Sequence, residues 1–284
     1  MNSFFRAAGR IQKRMPTLLP GILLILLIAL PGSVFKFLLD MELTQPNGTI
    51  MNLAPCTEHI LGTQSEGKDI CTMIVLGSWI TLKIGLIAGA IGVGFGTMFG
   101  LIAGYFGGKT DTCISTIVDI GMTIPPLAIM ILIAASIQNI SIAGMGVIVS
   151  ITAWMQPTRI IRSQMLSLKE RNYVQLARIS NVGNLEIIFR EIMPNLLPFL
   201  ASTFVNAVST AILSSIGLEV LGLGPSGSMS LGSIIYFATY YSAMWRGMWW
   251  WWLPPIVVII LIFVALFLIS LALDALGNPK LNRM

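Results

Sequence analysis

Apolar residues in this chain come in long unbroken blocks, separated by short polar stretches. Six blocks stand out, at about 17–39, 73–104, 113–136, 142–160, 197–217 and 253–274. A helix needs about 20 apolar residues to cross a bilayer. The pattern therefore predicts an all-α integral membrane protein with six transmembrane helices. Residues 1–72 would hold an amino-terminal tail, the first helix and an external segment. Residues 73–284 would form a five-helix core with a cytoplasmic loop at 160–195.

Composition supports this reading. Of 284 residues, 55% are hydrophobic and 10% charged, with a mean hydropathy of +0.85. A soluble domain carries about a quarter charged residues. Disorder, a collagen-like fibre and an ordinary soluble enzyme are thereby excluded. The net charge of +5 does not point to nucleic acid, because the basic residues sit at the ends of apolar runs. With six spans both termini lie on one side, together with 13 of the 17 basic residues, Arg159, Arg162, Lys169, Arg171, Arg178 and Arg190 among them. The positive-inside rule makes that side cytoplasmic. Arg6, Arg10, Lys13 and Arg14 precede the first apolar run, which is too long for a signal peptide and reads as an uncleaved helix in the cell (inner) membrane.

Candidate chemistry is sparse. His59 is the one histidine, and the three cysteines, Cys56, Cys71 and Cys113, form no CxxC pair, so neither a metal site nor a cofactor is expected. Cys56 and Cys71 both fall in the external segment, where a disulfide is open to them. Gly62–Asp69 and Ala103–Thr110 imitate phosphate loops but lack the strand-to-helix context that such loops need. Trp249–Trp252 fits an interfacial aromatic belt or rings that stack on a solute. Gly92, Gly96, Gly100 and Gly104 recur every four residues, laying a strip of bare backbone along one helix face for close packing. Lys83, Asp119 and Glu219 are charges within apolar runs, each costing at least about 2.5 kcal/mol at the bilayer centre. Lys83 is expected to snorkel or to pair inside the bundle. Asp119, Ser215 and Glu219 are candidates for the wall of a pathway.

The polar stretch 160–195 reads as two short amphipathic helices with a break around Asn181–Asn184, terminated by Pro194. It suits a pair lying on the membrane surface or a docking knob for a cytoplasmic partner. Its residues from Tyr173 to Asn195 resemble the cytoplasmic EAA loop of binding-protein-dependent ABC importer permeases. Gln175, Leu176 and Ala177 occupy the Glu-Ala-Ala positions, of which the last agrees. The family glycine falls on Asn181, with Gly183 two residues later, so the turn could pivot on either. The ending Ile192-Met-Pro-Asn195 agrees well. His59-Ile-Leu-Gly-Thr63 with Gly67-Lys-Asp69 is similar to the HPLGTDxxGRD stretch of the C-type permease in oligopeptide and dipeptide importers. Gly104-Tyr-Phe-Gly-Gly108, Asp111, Asp119 and Leu221-Gly-Leu-Gly224 match in order and spacing. Ser215 falls where that family usually has glutamate.

The resemblance implies a type I ABC importer permease fold and a non-catalytic subunit forming half of a heterodimeric pore. Its partners would be a second permease subunit, two cytoplasmic ATPase subunits and an external solute-binding protein. The solute would be an oligopeptide or oligosaccharide. ATPase coupling is expected at Tyr173, Ala177, Arg178, Asn181, Gly183, Arg190 and Pro194. The alternative, a secondary transporter, would need internal repeats and a coupling-ion site.

Overall fold

A computed structural model describes residues 16–34, 44–46 and 49–277. The terminal basic residues used for the topology argument lie outside this range. In chain order the helices are α1 (Leu18–Val34), α2 (Ile70–Phe106), α3 (Gly108–Thr123), α4 (Pro126–Ala135), α5 (Ile142–Ala153), α6 (Met155–Leu168) and α7 (Asn172–Ile179). A helical turn, Asn184–Glu186, and a π-helical turn, Ile187–Ile192, lead into α8 (Met193–Val220), followed by α9 (Leu231–Tyr240) and α10 (Trp249–Gly277). No strand occurs among the described residues; Thr63 and Asp69 form an isolated bridge.

The 37-residue α2 is the axis of the molecule. Asp69 starts it, its carboxylate accepting the Thr72 N–H and hydroxyl at 2.8 Å each, which satisfies donors that a helix start leaves bare. His59 Nδ1 holds the other oxygen of Asp69 at 3.0 Å. Segment 49–69 thus folds over the start of α2, and we call this the cap end. At the opposite, loop end, Gly107 and Gly108 take φ of +65° and +55°, a left-handed pair that lets the chain turn directly into α3.

Two apolar runs differ from the expected single helices, and a third helix begins earlier than expected. Run 113–136 is two helices, α3 and α4, bent by 77°. Ile124 and Pro125 are extended, with ψ of 129° and 120°, because a residue before proline is forced out of the helical region. Run 142–160 is divided at Trp154, and its second helix continues to Leu168, so the polar loop begins only there. Pro194 does not end a helix. The helix from Asn184 continues through it to Val220. The π turn is what permits this: Met193 N–H reaches Ile188 C=O, one residue further back than in an α-helix, and Pro194 sits in the first turn of α8, where a missing N–H is tolerated. The ten-residue α9 was not anticipated at all. Ser230 caps it by accepting the Ser233 N–H.

Among the described residues, three helices are long and apolar enough to cross a membrane, Ile70–Phe106, Asn184–Val220 and Trp249–Ala275, and the bent pair makes a fourth. Helices α1, α5 and α9 are apolar but shorter. α1 lies in close contact with its neighbours through Gly21 against Ile269 and Gly32 against Trp79. Trp251 is fully buried, stacked 5.8 Å from Tyr241, in the main core with Met73, Ile212, Leu231 and Ile262. The tryptophan run is therefore partly core rather than a belt, because segment 49–69 and the turn after α9 cover it. Cys56 and Cys71 are free thiols.

Candidate functional site

The loop end is built on a core of Leu101 and Tyr105 from α2, Ile161 and Met165 from α6, Val174, and Ile187, Ile188 and Ile192 from the π turn. Helix α7 turns Val174 fully inward, with Tyr173 and Ala177 packed beside it. Spacing of three and four places these residues on one face. The opposite face shows Leu176 and Ile179, 64% and 79% exposed, and Leu185 and Phe189 continue it at 67% and 61%. Four large apolar side chains thus stand open on a polar loop.

The turn pivots on Asn181, whose φ is +55°. Val182 N–H bonds Ala177 C=O and Asn181 N–H bonds Arg178 C=O, both at 3.1 Å. This is the double bond of a Schellman helix end, with asparagine at the left-handed site glycine usually fills. Gly183 is extended instead and begins the next helical turn. Three contacts fix the loop to the bundle: the Tyr105 hydroxyl donates to Asn184 Oδ1 at 2.9 Å, Lys169 Nζ donates to Gly104 C=O at 3.0 Å, and the Arg178 guanidinium lies 5.1 Å from the Tyr105 ring centre. Arg190 is exposed and pairs with Glu186. Pro194 lies at the joint between the loop and α8. Tyr105 and Asn184 were missed as site residues. Tyr105 belongs to the Gly104–Gly108 stretch, but nothing local announces a contact 79 residues away.

The glycine strip of α2 faces α5 and α6. A Cβ on Gly92 would meet Ala153 at 2.9 Å, on Gly96 Pro157 at 2.5 Å, on Gly100 Ile161 at 2.9 Å and on Gly104 Met165 at 2.6 Å. These partners also recur every four residues, so one ridge fills one groove.

The three pathway candidates do not converge. Asp119 is exposed and pairs with Arg159 at 2.5 Å; a neighbouring pair joins Asp111 to Arg162. Ser215 and Glu219 meet at the cap end, both buried. Glu219 Oε1 accepts the Ser215 hydroxyl and Oε2 the Ser230 hydroxyl, each at 2.6 Å, and the backbone N–H groups of Gly232 and Ser233 also serve it. The carboxylate therefore caps α9 from α8. It is supplied one turn after position 215, where the resemblance places it. Beside it opens a cavity of about 670 Å³ between α2, α9 and the 224–229 segment, with Lys83, Trp79 and Tyr236 in its wall.

A central long helix, a bent pair and a cored polar loop at one end make the fold that of a type I ABC importer permease. The MetNI methionine ABC transporter in an inward-facing conformation shares it, with a TM-score of 0.56 at 20% identity, over 72% of this chain and 94% of that one. The chain belongs to the family described as binding-protein-dependent transport system inner membrane component, which matches residues 96–283. It is similar to the oligopeptide transport system permease protein OppC of Lactococcus lactis subsp. cremoris, 34% identical over 254 residues, which cover 85% of this chain and 82% of the relative. It is also similar to the dipeptide transport system permease protein DppC of Haemophilus influenzae, 32% identical over 210 residues, covering 72% and 71%. The chain is thus a multi-pass inner-membrane permease subunit, and ATP hydrolysis belongs to separate subunits of such transporters.

Proposed function

We propose that this chain forms half of the pore of an ATP-driven importer of oligopeptides, paired with a second permease subunit, powered by two cytoplasmic ATPases and supplied by an external solute-binding protein. Similarity to peptide permeases over most of the chain supports the substrate class. The observation that carries the coupling role is the open apolar face of Leu176, Ile179, Leu185 and Phe189 on an otherwise polar, firmly anchored loop. Both termini and this loop lie in the cytoplasm, the cap end lies outside, and the six-span count of the type I fold applies.

The loop's rigid core is what such a role requires. A docking element transmits force only if it moves with the bundle, and the bonds of Tyr105 and Lys169 to the loop and to α2 make it do so. ATPase closure would then bias two arrangements of the pore by displacing the loop. Reconstitution tests the reading. Purification after mild solubilisation should yield two ATPases and a second permease, and the complex in liposomes should couple receptor-stimulated ATP hydrolysis to peptide uptake. A stable lone chain that transports on an ion gradient would overturn it.

A further inference from the structure

Lys83 is the fourteenth residue of α2, about 20 Å along the helix from the cap end at 1.5 Å per residue. That depth is within the apolar span. Its side chain is exposed and has no hydrogen bond or ion pair among the described residues. An ammonium group so placed is costly in lipid, and charges of this kind face water-filled cavities or a counter-charge. The cavity beside Glu219 supplies the water-accessible wall: Lys83 lines it with Ser226, Ser228, Ser233 and Tyr236. Among the described residues two other charges line the same cavity, and both are already engaged. Lys68 is paired with Glu66 at 2.5 Å, and both oxygens of Glu219 are taken by the hydroxyls of Ser215 and Ser230. Among the described residues, Lys83 is left as the charge in that wall without a partner.

We propose that Lys83 is a recognition point for a carboxylate on the passing solute, within a subsite formed by this outer cavity. The inference rests on the reading of the chain as a peptide importer subunit. A free peptide carries a terminal carboxylate, whereas a neutral oligosaccharide offers an ammonium group hydroxyl acceptors but no counter-charge. Charge-assisted hydrogen bonds of this kind are the strong ones. Lysine acts here as a point charge that can follow a moving group rather than as a fixed fork.

The test uses the complete importer in liposomes with its binding protein. Uptake is measured for one peptide with a free carboxyl terminus and for the same peptide amidated, each at a concentration that saturates the binding protein as determined separately. Lys83→Gln should lower uptake of the acid by about tenfold or more and leave uptake of the amide unchanged, while Lys83→Arg should retain most of the acid uptake. Equal losses for both peptides would show that Lys83 instead pairs with an acidic group of the second permease, and no loss for either would equally overturn the proposal. A second measurement is independent of the transport rate. In a chain carrying Cys56→Ser, Cys71→Ser and Cys113→Ser, Lys83→Cys should react with a membrane-impermeant thiol reagent added outside, as a residue in the wall of a water-accessible cavity does. An unreactive thiol would overturn the subsite. If the unaltered importer carries neither peptide while hydrolysing ATP, the peptide reading itself fails, an outcome distinct from a failure of Lys83 alone.

Discussion

Glu219 is surrounded by donors, two hydroxyls and two backbone N–H groups, so an acceptor is the only kind of group that fits there. Removing it with Glu219→Ala leaves those donors buried and unpaired, at about 1–3 kcal/mol for a buried donor left unsatisfied. The thermal unfolding midpoint of the detergent-purified chain should fall markedly for Glu219→Ala and less for Glu219→Gln, which keeps one acceptor oxygen. An unchanged midpoint for both would mean that the cluster does not hold α9. Asn181 makes a smaller case. A β-branched side chain is strained at φ +55°, at about 1–2 kcal/mol, so Asn181→Val should reduce receptor-stimulated ATP hydrolysis in the complex, whereas Asn181→Gly should preserve it. The sequence left Asn181 and Gly183 as equal candidates for this turn, because both types tolerate left-handed backbone; only the helix-end hydrogen bonds separate them. Ser215 and Glu219 are one helical turn apart and legible as neighbours. Ser230, which completes their cluster, is not, since it arrives from the far side of a turn.

At the scale of helices, the glycine repeat was readable and its occupant was not. A period of four marks a bare strip on α2 whatever fills it, whereas the ridge of Ala153, Pro157, Ile161 and Met165 carries ordinary residues with no signature of its own. Space along this strip is limited by backbone as well as side chains: a Cβ at Gly96 would also come within 3.0 Å of the Trp154 carbonyl oxygen, and one at Gly100 within 2.9 Å of that of Thr158. Overpacking costs about 1–3 kcal/mol where side chains can yield, and carbonyl groups in helices yield less. Gly96→Leu and Gly100→Leu should each reduce the yield of assembled complex on size-exclusion chromatography, with Gly94→Leu, which has open space around it, as the matched control. Equal yields for all three would contradict the packing. The bend between α3 and α4 was written in Ile124-Pro125-Pro126, but hydropathy averaged over a whole span hides it. α9 escaped for the opposite reason, its ten residues being too short to register as an apolar block.

For the molecule as a whole, orientation and the attachment of the cap each make a prediction. Cys56 is an exposed native thiol in the cap segment. In intact cells an impermeant maleimide should label it, and Cys56→Ser should remove that labelling; modification only after the inner face is opened would invert the topology. The cap is joined to the turn after α9 by the Tyr241 hydroxyl, which donates to Glu66 Oε1 at 3.0 Å. That hydrogen bond, with burial and the charge of Glu66, raises the tyrosine above its ordinary value. The neutral phenol is the form held in the fold, so the contribution is full below the unfolded tyrosine value of about 10 and is lost as pH rises through and beyond it. In an alkaline titration followed by tyrosinate absorbance, Tyr241 should ionise late, and Tyr241→Phe should abolish that delayed component. The family and the overall fold were legible from motifs in order along the chain, because a resemblance sums many weak local matches. Contacts such as this one, 175 residues apart, leave no local trace.

The unbroken helix from Asn184 to Val220 has a mechanical consequence. One end carries Phe189 on the open face of the loop, and the other carries Glu219 in the wall of the far cavity. Thirty residues of helix separate them, a rod of about 45 Å. Its two soft joints, the π turn and Pro198, both lie near the loop. Beyond Pro198 the rod holds no further proline or π turn, so a stroke that passes those joints is delivered to the clip on α9 along the helix axis, with no relay of side chains in between.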